Sequence, residues 1–183
     1  MHEIETARLR LRLFRPDDLD ALAPIYADPD VMRYMRSGQP ATREQTMRTL
    51  DRLIGMWDAQ GKGLWAVEHK ADRVLIGQCG LFHLDNTPEV EVAYLLAQPY
   101  WGAGLASEAA RACLRYGFEE WGLPRIVAVA RPENRASQQV MRKIGMLYEK
   151  HARYYDLDVV YYAIDRAAFQ PDAAPYQIQL RGQ

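Results

Sequence analysis

Pro99-Tyr100-Trp101-Gly102-Ala103-Gly104-Leu105-Ala106-Ser107-Glu108-Ala109-Ala110 is the stretch around which the rest of the chain is organised. An apolar run from Val90 to Ala97 leads into it. A helical pattern leads out, with Ala106, Ala110, Cys113, Leu114, Gly117, Phe118 and Trp121 on one stripe. A buried strand is therefore expected to end at Gln98-Pro99 and a helix to start near Gly104. Glycines at such a junction let a ligand approach the backbone closely, with bare N–H groups turned towards it. A helix N-terminus carries about half a positive charge, which suits a phosphate or pyrophosphate. The alternative is a plain strand-to-helix turn in which glycine serves only tightness.

The 183 residues are most simply one domain, large enough to bury a core. Apolar residues make up 49% and charged residues 26%, ordinary values for a soluble globular chain. A net charge of −1 gives no global field to recruit nucleic acid or a membrane. Cys79 and Cys113 lie far apart in sequence in apolar surroundings and read as core thiols, not a disulfide framework. Met1-His2-Glu3-Ile4-Glu5 does not read as a signal peptide and no apolar run reaches transmembrane length, so the cytoplasm is the expected location. His2, His69, His83 and His151 show no metal-ligand spacing, and no metal is expected.

Outward from the glycine turn, the chain alternates short strands and helices. Leu9, Leu11 and Leu13 alternate with Arg8, Arg10 and Arg12, predicting a strand with one buried face and one basic face in solvent. Pro16-Asp17-Asp18 opens a helix, and a short helix is expected around Val31 to Met35. Thr42 and Gln45 have capping-box spacing ahead of a third helix, stopped by Gly61 and Gly63. Strands follow at Leu64–Glu68, Val74–Phe82 and Glu89–Ala97. Past the glycine turn come a helix to Trp121, a strand Arg125–Ala130, and a helix capped by Asn134 and ended by Gly145. A hairpin across Asp156-Leu157-Asp158 completes the domain, residues 1–169; residues 170–183 are expected to be a loose tail, or an arm docked on a neighbour in a homodimer. The order β-α-α-α-β-β-β-α-β-α-β-β argues for an α+β domain with a mixed sheet, and against a doubly wound parallel sheet.

Gly102-Ala103-Gly104-Leu105-Ala106-Ser107 is close to the dinucleotide fingerprint G-x-G-x-x-G/A, but Ser stands at the third position. That fingerprint also wants an acidic residue about twenty residues on, at the end of the next strand. Here that strand ends in Arg131, which would suit a 2′-phosphate, so an NADP-binding enzyme stays open as a second reading. A Walker loop is excluded, since no Gly-Lys-Ser/Thr occurs.

The stretch Tyr100 to Ala109 resembles the acetyl-coenzyme A pyrophosphate loop of the GNAT superfamily of N-acetyltransferases, and most closely its branch of Rim-type ribosomal-protein N-terminal acetyltransferases. Thr6-Ala7-Arg8-Leu9-Arg10-Leu11-Arg12 resembles that branch's first strand, and Glu91-Val92-Ala93-Tyr94-Leu95-Leu96 its cofactor-binding strand. Asn134-Arg135-Ala136-Ser137, followed by Lys143-Ile144-Gly145-Met146, resembles its second cofactor motif. The resemblance spans residues 6 to about 166. It implies a mostly antiparallel twisted sheet, flanked by helices and splayed between two central parallel strands.

The resemblance also implies a site. Pantetheine would lie in the splay against Leu95, Leu96 and Ala97, pairing with freed backbone groups of Leu95 and Ala97. The N–H groups of Gly102, Ala103, Gly104, Leu105, Ala106 and Ser107 would hold the pyrophosphate of acetyl-CoA. Asn134 would touch pantetheine, and Arg131, Arg135 or Arg142 would meet the 3′-phosphate. Two positions depart from the family pattern. Trp101 stands where Gln or Arg is frequent, and Met141 stands where many members carry a general-acid Tyr; a methionine has no proton to give. Glu91, which interrupts an apolar strand beside the expected cleft, is the candidate base, with Glu89 two residues away on the same face as a substitute. Ser137 matches a family serine that positions the thiol or relays a proton. The chain is thus expected to move an acetyl group to an amine acceptor, a protein N-terminus or a small amine, without an acyl-enzyme. A non-catalytic acyl-CoA-binding module is the alternative from another class.

Overall fold

The computed structural model describes residues 2–60 and 62–180. Among them, nine strands form one sheet in the order β7-β8-β6-β5-β4-β3-β2-β1-β9. The strands are β1 (His2–Thr6), β2 (Leu9–Arg12), β3 (Gly63–His69), β4 (Val74–His83), β5 (Val90–Leu96), β6 (Arg125–Ala130), β7 (Leu147–Tyr154), β8 (Leu157–Asp165) and β9 (Tyr176–Leu180). The helices are α1 (Leu19–Ala27), α2 (Pro29–Met32), α3 (Arg43–Gln60), α4 (Leu105–Glu119) and α5 (Arg135–Lys143). Every pairing given a register is antiparallel except β5 with β6. This is the mixed sheet that the element order predicts, mostly antiparallel and flanked by helices as the family resemblance implies.

The sheet separates two apolar layers. On one side Val90, Val92 and Leu96 of β5 pack with Leu105, Ala109, Ala110 and Cys113 of α4 and Met141 of α5. On the other, Leu95 joins Leu22 and Ile25 of α1 and Leu50 and Leu53 of α3. The alternation along β5 follows from the pleat, which sends successive side chains to opposite faces. Cys79 and Cys113 belong to the first layer as buried free thiols, and although distant in sequence their Sγ atoms lie 3.5 Å apart.

Four local expectations change. The N-terminus makes two strands, not one: β1 carries a single core residue, Ile4, too little for a visible alternation, and is held by pairing with β2 and β9. The tail is not loose throughout, for Tyr176–Leu180 runs antiparallel to β1 as the edge of the chain's own sheet. The supposed basic face of β2 is largely neutralised: Arg12 is buried between Asp18 and Glu68, each at 2.6 Å, and Arg10 reaches Glu3 at 2.7 Å. The final hairpin turns at Tyr155-Asp156, with Leu157 already paired to Tyr154. The capping box of α3 forms as its spacing predicts, with Thr42 and Gln45 exchanging backbone-to-side-chain bonds of 2.7 and 3.2 Å. Of the two glycines expected to stop α3, Gly61 lies outside the described residues and Gly63 opens β3.

Candidate active site

Strands β5 and β6 are registered only at Glu91 opposite Val127. Beyond that point towards the C-terminal ends the two strands part, although β5 stays paired with β4 as far as Leu96. The β4 ladder shows which β5 groups turn to the gap. Ala97 N–H donates to the Ile76 carbonyl at 2.8 Å, and Leu84 N–H to the Glu89 carbonyl at 2.9 Å. An antiparallel ladder alternates, so odd-numbered residues of β5 spend their backbone on β4 and even-numbered ones face β6. The groups turned to the gap are therefore those of Tyr94 and Leu96. This corrects the expectation for Leu95 and Ala97: Ala97 also gives its carbonyl to Tyr100 N–H at 3.0 Å. The register, which side-chain patterns do not encode, decides the matter.

At the end of the gap the chain turns into α4. Trp101, in place of the frequent Gln or Arg, donates its indole N–H to the Leu96 carbonyl at 2.7 Å. Gly102 and Gly104 have φ of 75° and 79°, and Gly104 is the N-cap of α4. A Cβ on Gly102 would meet nothing within 4 Å, and one on Gly104 only an Arg8 nitrogen at 3.7 Å. Backbone twist, not crowding, thus calls for glycine, and the space before the loop is open. No side chain caps α4, so the first-turn N–H groups of Leu105, Ala106 and Ser107 point out of the helix end as an anion site would require.

Arg8 stands beside this loop, a neighbour that sequence reading missed because Arg8 looked like part of a solvated basic face. It donates to the Ala103 carbonyl at 2.8 Å and pairs with Glu108 at 2.7 Å. Burial works to raise the Glu108 carboxyl, but bonds from Thr6 and from the Arg8 backbone and side chain outweigh it and hold it below its ordinary value. The first turn of α4 is so tied to the β1–β2 turn.

On the α4 and α5 side of the gap, Tyr94 places its phenol 3.0 Å from Ser137 Oγ and donates to the Ser137 carbonyl at the same distance. Burial pushes the Tyr94 phenol well up, so it is a neutral donor. Asn134 caps α5, its side-chain oxygen accepting the Ser137 N–H at 3.1 Å. Met141 is buried at 1% exposure and purely apolar. Tyr94 of β5, unlike Met141, carries a proton that could be given up on this side of the gap. The sequence alone does not single out Tyr94, since a tyrosine in an apolar strand reads equally as core.

Glu91 lies on the opposite face. It is 5% exposed, accepts a 2.8 Å bond from the Tyr155 phenol, and also accepts the Val129 N–H. Burial drives its carboxyl up to about 7, against those two bonds and with a smaller push from Asp85. A buried carboxyl near 7 accepts and returns a proton readily at neutral pH. Glu89 shares the face but is engaged by the phenols of Tyr161 and Tyr154. Tyr155 and Asp156 both have left-handed backbone, φ 54° and 62°. This is the sign pattern of a two-residue hairpin turn that usually takes Asn-Gly or Asp-Gly; Asp156 tolerates it, and Tyr155 in that conformation costs about 1–2 kcal/mol.

The segment beyond α2, the final hairpin and the end of β6 meet over this face. Arg36, beyond α2, lies 3.6 Å from Asp156, and Arg131 donates to the Met35 carbonyl at 3.4 Å. Arg131 therefore belongs to the Glu91 side, not to a 3′-phosphate on the α4 side. Arg142 is occupied as well, bonding the Tyr162 hydroxyl at 3.0 Å and Gln138 at 3.3 Å. Among the described residues there is no group of three or more His, Cys, Asp or Glu placed to hold a metal ion, and no helix long and apolar enough to cross a membrane.

Known proteins share this architecture. The family profile of the acetyltransferase (GNAT) domain matches residues 8–147. A Bacillus subtilis (strain 168) protein named uncharacterized N-acetyltransferase YnaD is 36% identical over 149 residues, 81% of this chain and 84% of that one. The structure of a GNAT-family acetyltransferase from Bacillus anthracis superposes with a TM-score of 0.79 at 31% identity, covering 90% of this chain and 99% of the other. A ribosomal-protein-S5-alanine acetyltransferase from Vibrio fischeri shares the fold, with a TM-score of 0.72 at 19% identity over 92% of this chain and 99% of its own. With a splayed β5–β6 pair, a glycine turn into α4 and homology along most of its length, the chain belongs to the GNAT family of N-acetyltransferases.

Proposed function

We propose that the protein transfers the acetyl group of acetyl-CoA to a primary amine by direct attack, with Glu91 as the base. One observation carries the reading: the open glycine turn and the buried carboxylate Glu91 lie on opposite faces of the same gap in the sheet. A donor entering from the α4 side and an amine entering from the Glu91 side would meet where the strands part. The N–H groups from Gly102 to Ser107 would hold the pyrophosphate, with Arg8 as a flanking cation. Pantetheine would run along β5 against the Tyr94 and Leu96 backbone, with Asn134 beside it.

The chemistry asks for little more. The amine nitrogen, once neutral, attacks the thioester carbonyl; the C–N bond forms, the C–S bond breaks, and the thiolate leaves. Glu91 takes the proton that the amine sheds, through a water where the two do not touch. Tyr94, whose phenol rests on the Ser137 carbonyl, would turn its proton from that carbonyl to the departing sulfur. That help is modest, since a thiol with a pKa of about 8.5 leaves readily. Neither cysteine takes part: both are buried, and burial pushes the Cys113 thiol up, away from a nucleophilic thiolate. A buried, near-neutral carboxyl at Glu91 favours an enzyme over a binding module. The mostly antiparallel sheet leaves no doubly wound frame for NADP.

The acceptor mouth mixes signs. Asp30 pairs with Arg33 and Asp156 with Arg36, while Arg131 reaches the Met35 carbonyl. Such a balance does not favour a polycation. An α-amine with a pKa of about 8 is also easier to deprotonate than a lysine near ~10.4. A peptide N-terminus or an amino-acid-like amine is the acceptor class proposed. The test compares kcat/KM for short peptides with a free N-terminus, N-blocked peptides carrying lysine, spermidine and kanamycin. Preference for spermidine or kanamycin would overturn the acceptor class, and no turnover of acetyl-CoA with any amine would overturn the reaction.

A further inference from the structure

The hairpin turn between β7 and β8 is strained, and the reaction as described gives it no task. Its first residue, Tyr155, is gripped at both ends. The Tyr155 N–H donates to Asp85 Oδ2 at 3.0 Å, and its phenol oxygen accepts the Asp85 N–H at 2.9 Å. The same phenol donates to Glu91 Oε2 at 2.8 Å. We propose that Tyr155 is the positioning residue for Glu91: clamped by Asp85 in a left-handed turn, its phenol fixes Oε2 and so aims the base at the acceptor side.

This rests on Glu91 being the base, and three features of the geometry carry it further. First, left-handed backbone is disfavoured for a bulky residue such as Tyr155, though Asp156 tolerates it, and it persists at Tyr155 only where surrounding bonds over-determine it. The two Asp85 bonds are such a constraint. Second, the phenol has one proton, and accepting from the Asp85 N–H leaves that proton for Glu91. Its direction is therefore set by the backbone of the β4–β5 loop. Third, Asp156 of the same turn faces Arg36 across the acceptor mouth, so the segment that borders the acceptor also holds the base.

The groups facing Glu91 define the electrostatics. Tyr155 approaches from the turn, the Val129 N–H from β6, and Asp85 from the β4–β5 loop. Glu89 lies along its own strand, tied to Tyr154 and Tyr161, and Tyr94 lies across the sheet. Tyr155 favours the ionised form by donating to it, and Asp85 opposes it by charge. Removing each should move the Glu91 titration in opposite directions.

The experiment is a carbon-13 NMR titration of the side-chain carboxyls in the full chain, with Glu91→Gln used to assign the Glu91 signal. Tyr155→Phe keeps the ring and the N–H bond to Asp85 and is expected to raise the Glu91 midpoint by about one pH unit. Asp85→Asn keeps an oxygen for the Tyr155 N–H and is expected to lower it. A turn that merely braced the fold would loosen in both variants, admit water and lower both midpoints. A midpoint that stays or falls in Tyr155→Phe overturns the proposal, as does a rise in Asp85→Asn. The acid limb of kcat/KM should follow the carboxyl midpoint in each variant. A limb that ignores a midpoint which does move overturns Glu91 as base, and with it the part of Tyr155 in the reaction.

Discussion

Glu91→Gln is expected to make the protein more stable and far less active at the same time. Burial raises the Glu91 carboxyl from 4.5 to about 7, with Tyr155 and the Val129 N–H pulling the other way. Between those two values the folded chain holds a proton that the unfolded chain has lost. The stability from this group is therefore full below 4.5 and is lost as pH rises through about 7. At about 1.4 kcal/mol per pH unit, the ionised carboxylate lowers stability by up to about 3 kcal/mol above neutrality. Glutamine is neutral throughout and can still accept the Tyr155 bond. Urea denaturation should thus show the two proteins nearly equal at about pH 4, with the variant gaining steadily to about 3 kcal/mol near pH 8. Turnover at neutral pH should fall about 10²–10⁴-fold, with acetyl-CoA affinity unchanged. A stability difference that does not grow across that range would refute the buried, near-neutral carboxyl. Full activity in Glu91→Gln would refute its role as base, and loss of activity in Glu89→Gln alone would transfer that role to Glu89.

Three further substitutions test other parts of the site and fold. Gly104→Val forces a branched residue to φ 79° in front of the loop; calorimetric titration should show weakened acetyl-CoA binding, and intact affinity in a folded variant would remove the pyrophosphate assignment. Tyr94→Phe should lower kcat by no more than about 10²-fold with little change in KM for acetyl-CoA, and an unchanged kcat would mean that the thiolate leaves without that proton. Arg12→Ala leaves the Asp18 carboxylate buried without its partner; denaturant unfolding should show a loss of about 3–5 kcal/mol, and a loss under about 1 kcal/mol would mean that water replaces the guanidinium.

The sequence discloses whatever is written in local pattern. The glycine turn is legible because an apolar strand and an amphipathic helix bracket Gly102 and Gly104, and Glu91 stands out as a charge inside an apolar run. Features that depend on distant partners are not legible. Which β5 residues turn their backbone to the gap follows from the register with Ile76 and Leu84, and no composition encodes it. Arg12 reads as solvated until Asp18 and Glu68 close on it. Strand β1 is too poor in apolar residues to announce itself, and β9 carries a five-residue alternation, Tyr176, Ile178 and Leu180, too short and too far beyond the last hairpin to be placed in the sheet until it pairs with β1. Tyr94 and Tyr155 look like core aromatics because a phenol's partner, not its neighbours in sequence, gives it a task.

The division of labour along β5 has an evolutionary consequence. One face of the gap offers main-chain amides, which every residue type carries alike; the other offers the side chains of Glu91, the hairpin and the loop beyond α2. Drift in amino-acid identity along the hairpin and that loop can rewrite what the protein accepts while the amide row on β5 stays as it was. Related sequences should therefore diverge fastest around Met35, Arg36, Tyr155 and Asp156, and paralogues with different acceptors should remain interchangeable in the half that binds the donor.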